Sequence, residues 1–226
     1  MPDAALNPPV PSPPQPAREM QFEDLDQQTE AAHLGMWLFL STEILFFGGL
    51  FGAYTAYRVS YPEAFAAASR DLLLWAGAAD TAILLISSFA MALAVYAAKI
   101  GARRGLAVLL LTAAAFGALF LVLHGFEYYK DFVEHHVPGR GFRYEGGEAP
   151  ANQVQLFFLI YFLMTGLHSL HVTIGVAILL VLAVQAWHGK FSAEYHNPVE
   201  VGGLYWHFVD IVWVFLFPLL YLVAHH

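Results

Sequence analysis

Residues Leu156 to Trp187 read LFFLIYFLMTGLHSLHVTIGVAILLVLAVQAW, a run without Asp, Glu, Lys or Arg. A helix rises about 1.5 Å per residue and the hydrocarbon core of a bilayer is ~30 Å thick, so about 20 mainly apolar residues cross it. This stretch is long enough to span. Four others meet the same criterion, approximately Leu34–Tyr57, Leu72–Ala98, Leu106–Phe126 and Leu204–Val223. Polar breaks separate them at Arg58–Asp71, Lys99–Gly105, Glu127–Gln155 and His188–Gly203. The expectation is an all-α polytopic membrane protein, a bundle of five transmembrane helices, because only helices or closed barrels satisfy their backbone in lipid.

Composition agrees. The 226 residues are 58% hydrophobic and only 12% charged, with a mean hydropathy of +0.56. Soluble domains carry roughly twice that share of charge, about 25%. There is no cysteine, which excludes a disulfide scaffold, thiolate metal sites, iron–sulfur clusters and a cysteine nucleophile. The net charge of −8 comes without a dense basic cluster, so nucleic acid is not an expected partner. Residues 1–32 read as a tail, proline-rich to about residue 18 and then acidic, with Phe22 and Leu25 spaced for a short surface helix. Dense proline argues for disorder in the first part, and neither an apolar h-region nor a basic patch suggests a cleaved signal. Residues 33–226 form the membrane domain.

An ionisable side chain costs at least about 2.5–3.5 kcal/mol in the hydrocarbon region, so those inside spans are informative. Glu43 lies in the first span and Asp80 in the second. His124 and Glu127 close the third, His168 and His171 sit mid-way along the fourth, and His207 and Asp210 open the fifth. Each of these three pairs has i, i+3 spacing, which puts both members on one helix face. Di-iron bundles use Glu-x-x-His and catalytic zinc sites have their own spacings; neither pattern occurs within the five spans. No metal, cofactor or catalytic residue is therefore assigned. An internal hydrogen-bond network fixing helix packing is one reading, and a proton- or lipid-handling role is another. By helix rise, Glu43 and the two mid-span histidines fall at similar depth, so Glu43 is expected to bond a histidine of the fourth span or another internal polar group. Gly48 and Gly52 are expected to allow close helix approach. Trp37, Trp75, Trp187, Trp206 and Tyr205 are expected to form an aromatic belt at the span ends.

Four motifs then carry a resemblance. They are His33-Leu-Gly-Met-Trp-Leu-Phe-Leu-Ser-Thr-Glu43-Ile-Leu-Phe-Phe47, Glu127-Tyr-Tyr-Lys-Asp-Phe132, Thr165-Gly-Leu-His-Ser-Leu-His-Val-Thr-Ile-Gly175 and Tyr205-Trp-His-Phe-Val-Asp-Ile-Val-Trp213. In this order over residues 33–223 they resemble the signature of subunit III of haem–copper oxidases, in a short form lacking the first two of seven helices. The resemblance implies a subunit of a cytochrome c oxidase complex that carries no catalytic or redox centre itself. Haem and copper would lie in partner subunits I and II, with subunit I packing directly against this chain and cytochrome c as electron donor. The implied role is to stabilise the catalytic subunit and support proton uptake during reduction of oxygen to water, with tightly bound phospholipid as an accompaniment. Lysine and arginine counts balance on the two sides. The cluster Lys99, Arg103 and Arg104 and the resemblance both favour a cytoplasmic N-terminus and a periplasmic C-terminus in a bacterial inner membrane. A quinol oxidase subunit III or a nitric oxide reductase accessory subunit is the neighbouring alternative. A small proton channel or transporter is the distant one, although internal repeats are absent.

Overall fold

The computed structural model describes residues 24–139, 141–144 and 149–222. Six helices make up the described fold: α1 (Leu25–Ser60), α2 (Pro62–Asp71), α3 (Leu74–Lys99), α4 (Arg103–Val133), α5 (Ala151–Trp187) and α6 (Asn197–Tyr221). All but α2 are long and apolar enough to cross a membrane. The expected five-span bundle is what the chain builds.

The differences are at the ends. Helix α1 starts at Leu25, so the acidic residues just before the first span join its helix rather than standing apart from it. Asp24 explains this start: its carboxylate accepts from the Gln27 backbone N–H at 2.7 Å, and Asp26 adds a favourable charge to the first turn. Residues 1–23, including Phe22, lie outside the described residues. The break after the first span also contains structure, because Pro62 opens α2 at a position where its missing N–H costs nothing. One face of α2 buries Ala64, Phe65, Ala68 and Ser69. Phe65 is the anchor, edge-on to Tyr54 at 5.4 Å and Phe157 at 5.3 Å.

Helices α3, α4, α5 and α6 pack around one another as the central bundle, while α1 lies at its side against α5 and α6. Trp206 lies at the centre of the bundle. It is fully buried, and its indole N–H donates to Ser87 Oγ at 3.1 Å. Ser87 in turn donates to the Ala113 carbonyl, tying α3, α4 and α6 together. The ring fits because Gly117 and Gly175 have no side chain; a Cβ there would come within 2.5 and 2.6 Å of it. Trp206 and Tyr205 are therefore core residues and not part of an aromatic belt, since α6 turns that face inward. Trp37, Trp75 and Trp187 are exposed. Gly48 and Gly52 also differ from expectation: both are exposed and a Cβ at either meets nothing within 4 Å, so neither is a point of close helix approach.

The ends of the central helices are held by side chains. Pro218 interrupts the last turn of α6, whose Leu219 and Leu220 carbonyls accept from Tyr54 Oη at 2.5 Å and Ser69 Oγ at 2.8 Å. At the other end of the bundle Arg103 donates to the Ala186 and Trp187 carbonyls, which close α5.

Candidate functional site, a set of buried acids and imidazoles

The polar residues of the spans gather into separate groups, each drawing on more than one helix. The largest lies between α3, α4 and α6. His124 Nδ1 is 3.2 Å from Glu127 Oε2 and 3.8 Å from Asp80 Oδ2, and all three residues are buried. Tyr221 donates to the same Glu127 oxygen at 2.9 Å. The i, i+3 pair read from the sequence thus bonds within itself. Its remaining partners, Asp80 and Tyr221, come from other helices. Asp80, His124 and Glu127 place three potential ligand atoms within 4.8 Å of one another. No local spacing announces that set, because Asp80 lies on α3 and the other two on α4. Neither Asp80 oxygen nor His124 Nε2 has a hydrogen-bond partner among the described residues.

The second group joins α1 to α5. Glu43 Oε2 lies 3.3 Å from His171 Nε2. His171 Nδ1 is 2.8 Å from the Leu167 carbonyl, an acceptor only, so that nitrogen carries a hydrogen. Its neighbour on the sequence, His168, goes elsewhere. It is fully buried with neither ring nitrogen bonded among the described residues, tilted against Trp213 at 5.2 Å and edge-on to Phe120 at 5.4 Å. Of the two candidate histidines, only His171 meets Glu43.

The third pair meets at Ser88 of α3. His207 Nδ1 is 2.8 Å from Ser88 Oγ, beside a depression that also exposes Glu200 and His33. Asp210 is buried, and its carboxylate faces the same Ser88 hydroxyl. Trp213, one turn on, donates to Thr81 Oγ1 at 3.1 Å.

Two clusters at the ends of the bundle were not singled out from the sequence. At the α6 N-terminus, Glu200 lies 2.8 Å from Lys99 Nζ and 3.5 Å from both His33 Nε2 and His196 Nε2. At the opposite end, Asp71, Lys130, Asp131, Glu134 and His136 gather where α2, α4 and the following loop meet. Burial pushes the Asp71 carboxyl up, against the pull of His136 and Lys130. The facing Asp131 carboxylate lifts His136 above the usual imidazole range, and burial opposes this. Charge alternation over Lys130–His136 was a legible signal for this cluster, but its meeting with Asp71 was not.

Five apolar spans with these acids and imidazoles turned inward define a multi-pass membrane protein. The family model for cytochrome c oxidase subunit III matches residues 149–225. Cytochrome c oxidase subunit 3 of Thermostichus vulcanus is 36% identical over 195 residues, covering 84% of this chain and 87% of that relative. The probable cytochrome c oxidase subunit 3 of Mycobacterium tuberculosis is 30% identical over 190 residues, covering 84% and 87%. Cytochrome bo(3) ubiquinol oxidase subunit 3 of Pseudomonas aeruginosa is 30% identical over 191 residues, covering 84% of each chain. The chain belongs to the cytochrome c oxidase subunit III family. It is a subunit III of a haem–copper oxidase, one member of a larger membrane complex.

Proposed function

We propose that this subunit stabilises the catalytic subunit of a cytochrome c oxidase and supports proton uptake during oxygen reduction, without carrying a redox centre of its own. Haem and copper belong to partner subunits I and II in this reading. The N-terminus faces the cytoplasm and the C-terminus the periplasm of a bacterial inner membrane. The membrane domain covers residues 33–226, and residues 1–32 are its N-terminal tail, the last part of which continues α1. The observation that carries the proton role is the cluster of Glu200, His33, His196 and Lys99 on the side so assigned to the cytoplasm. Imidazole as a class changes charge between about pH 5 and 8, so two of them beside a carboxylate make a surface suited to gathering and exchanging protons.

Deeper in the bundle, Glu43, His124, Glu127, His168, His171, His207 and Asp210 serve as the buried polar network. Glu43 with His171 ties α1 to α5, while Asp80 and Tyr221 tie α3 and α6 to the His124–Glu127 pair of α4. An apolar groove of about 410 Å³ between α1 and α6, lined by Ile44, Phe47, Phe51, Phe208, Val212 and Phe215 among others, suits an acyl chain. A phospholipid held there would order the face toward the catalytic subunit.

The test removes the subunit from the purified complex. The haem and copper spectra are expected to stay unchanged and initial electron transfer to survive, while proton uptake slows or activity decays over repeated turnover. Loss of a haem or copper signal from an otherwise intact complex would overturn the reading. The Pseudomonas aeruginosa relative, named as a ubiquinol oxidase subunit, motivates a second reading, a quinol-oxidising complex. The family resemblance favours cytochrome c, because Glu43 resembles the glutamate of cytochrome c oxidising members, whereas aspartate there would resemble the quinol oxidising ones. Offering the purified complex reduced cytochrome c or quinol decides between them.

A further inference from the structure

The end of α4 brings three metal-ligating side chains together outside the polar groups used above. Helix α4 closes with Glu134 at its C-cap, and His135 follows with φ 58°, in the left-handed region. This reversal lets the His135 N–H reach the Phe132 carbonyl and the His136 N–H reach the Asp131 carbonyl at 2.9 Å, the pattern that folds a chain back over the last helical turn. His136 is thereby set above Asp131, and Phe158 stacks on its ring at 4.8 Å to fix the orientation. His136 Nδ1 faces Glu134 Oε2 at 3.6 Å and Asp131 Oδ1 at 4.0 Å.

We propose that Asp131, Glu134 and His136 form a binding site for a divalent transition-metal cation of the zinc class, on the face of the bundle where α2 and α4 end. Ligand atoms of these residues all lie within 4.8 Å of one another. A tetrahedral ion with bonds of about 2.0–2.1 Å separates its ligands by roughly 3.3 Å. The observed separations of 3.6 and 4.0 Å from His136 Nδ1 are wider than this, so a bound ion would draw the carboxylates inward. The donor set of one imidazole and two carboxylates selects zinc-like ions over calcium or magnesium, which take oxygen ligands alone.

The buried member of the trio points to a ligand independently of the cluster itself. The Asp131 side chain is only 5% exposed, and its Oδ2 has no bonded partner among the described residues. The Asp71 Oδ2 and His136 Nδ1 atoms beside it are in the same state. A buried acceptor left so is costly unless something supplies a bond. Three carboxyl groups, Asp71, Asp131 and Glu134, meet Lys130 and His136 there, and Lys130 already contacts Glu134 at 3.6 Å and the Asp71 carbonyl at 3.2 Å. Glu134, 40% exposed, gives entry from water and leaves the fourth position open.

The test uses the intact purified oxidase complex, chelator-treated and then dialysed against zinc chloride at mildly alkaline pH, where the imidazole gives up its proton to the metal. Zinc bound per complex is counted for the native protein, His136→Gln and Glu134→Gln. The native complex is expected to retain one zinc more than His136→Gln, and Glu134→Gln to bind that ion at least about tenfold more weakly. The difference zinc X-ray absorption spectrum is expected to give nitrogen and oxygen neighbours at about 2.0–2.1 Å. Equal zinc content and equal affinity in all three proteins would overturn the site. Should His136→Gln fail to assemble, Glu134→Gln, an isosteric change on an exposed residue, decides alone, with retention of the subunit in the complex as its control.

Discussion

Single positions decide how tightly the bundle closes. Trp206 occupies space that Gly117 and Gly175 leave free. Gly117→Ala therefore forces overpacking between α4 and α6, expected to cost about 1–3 kcal/mol. Trp206→Ala leaves a cavity and a Ser87 hydroxyl without its donor, expected to cost about 3–5 kcal/mol. Gly48→Ala, where a Cβ meets nothing within 4 Å, is expected to change the stability of the chain by no more than about 0.5 kcal/mol. Thermal melting of the three variants in one detergent checks the order. The Glu43–His171 contact calls for a different measurement, since either residue alone leaves the other with a stranded polar atom. A double-mutant cycle with Glu43→Ala and His171→Ala is expected to give a coupling of about 0.5–3 kcal/mol. A coupling of zero would mean that the 3.3 Å contact holds nothing together.

At the scale of elements, helix ends do much of the fastening. Ser69 of α2 takes the Leu220 carbonyl of α6, although 151 residues separate them. Ser69→Ala is expected to cost about 1–3 kcal/mol by stranding that buried acceptor. Phe65→Ala, which empties the contact with Tyr54 and Phe157, should cost more, about 3–5 kcal/mol. Both should speed proteolysis around Tyr61 and Leu72, where α2 joins its neighbours, and mass spectrometry of the fragments reads this out. At the opposite end, Gly189 has φ 75°, and a Cβ there would lie 2.6 Å from the Arg103 guanidinium carbon. Gly189→Ala meets both a left-handed backbone and the arginine that caps α5. Its loss of stability is expected to shrink when Arg103→Ala is added, which melting of the double variant tests.

For the whole molecule the absence of cysteine makes topology directly measurable. The loop between α3 and α4 and the loop between α5 and α6 lie at one end of the bundle, and residues 134–139 after α4 lie at the other. With the N-terminus cytoplasmic, Lys190→Cys is expected to resist a membrane-impermeant thiol reagent applied to intact cells. Val137→Cys, in an exposed turn, is expected to react. The reverse pattern would invert the assigned orientation and put the Glu200 cluster on the wrong side for proton uptake.

Much of this protein was legible without coordinates, because lipid imposes a rule that each segment must meet alone. A span needs length, apolarity and satisfied backbone groups, and Leu156–Trp187 declares all three locally. The i, i+3 pairing of His124 with Glu127 was equally visible, since helix periodicity fixes it. What depended on the tertiary structure was every choice among helix faces. His168 and His171 stand on the same face by count, yet one ends among aromatic rings and the other on Glu43. Trp206 near a span end reads as an interfacial ring, but α6 rotates it into the seam opened by Gly117 and Gly175. Asp80 joins His124 across 44 positions of sequence. Sequence by itself determined which segments enter the membrane, because that is a transfer of each helix out of water. Which residues meet inside was decided by packing among helices, where both lipid and protein interior are apolar and close steric fit and polar pairing set the rotation.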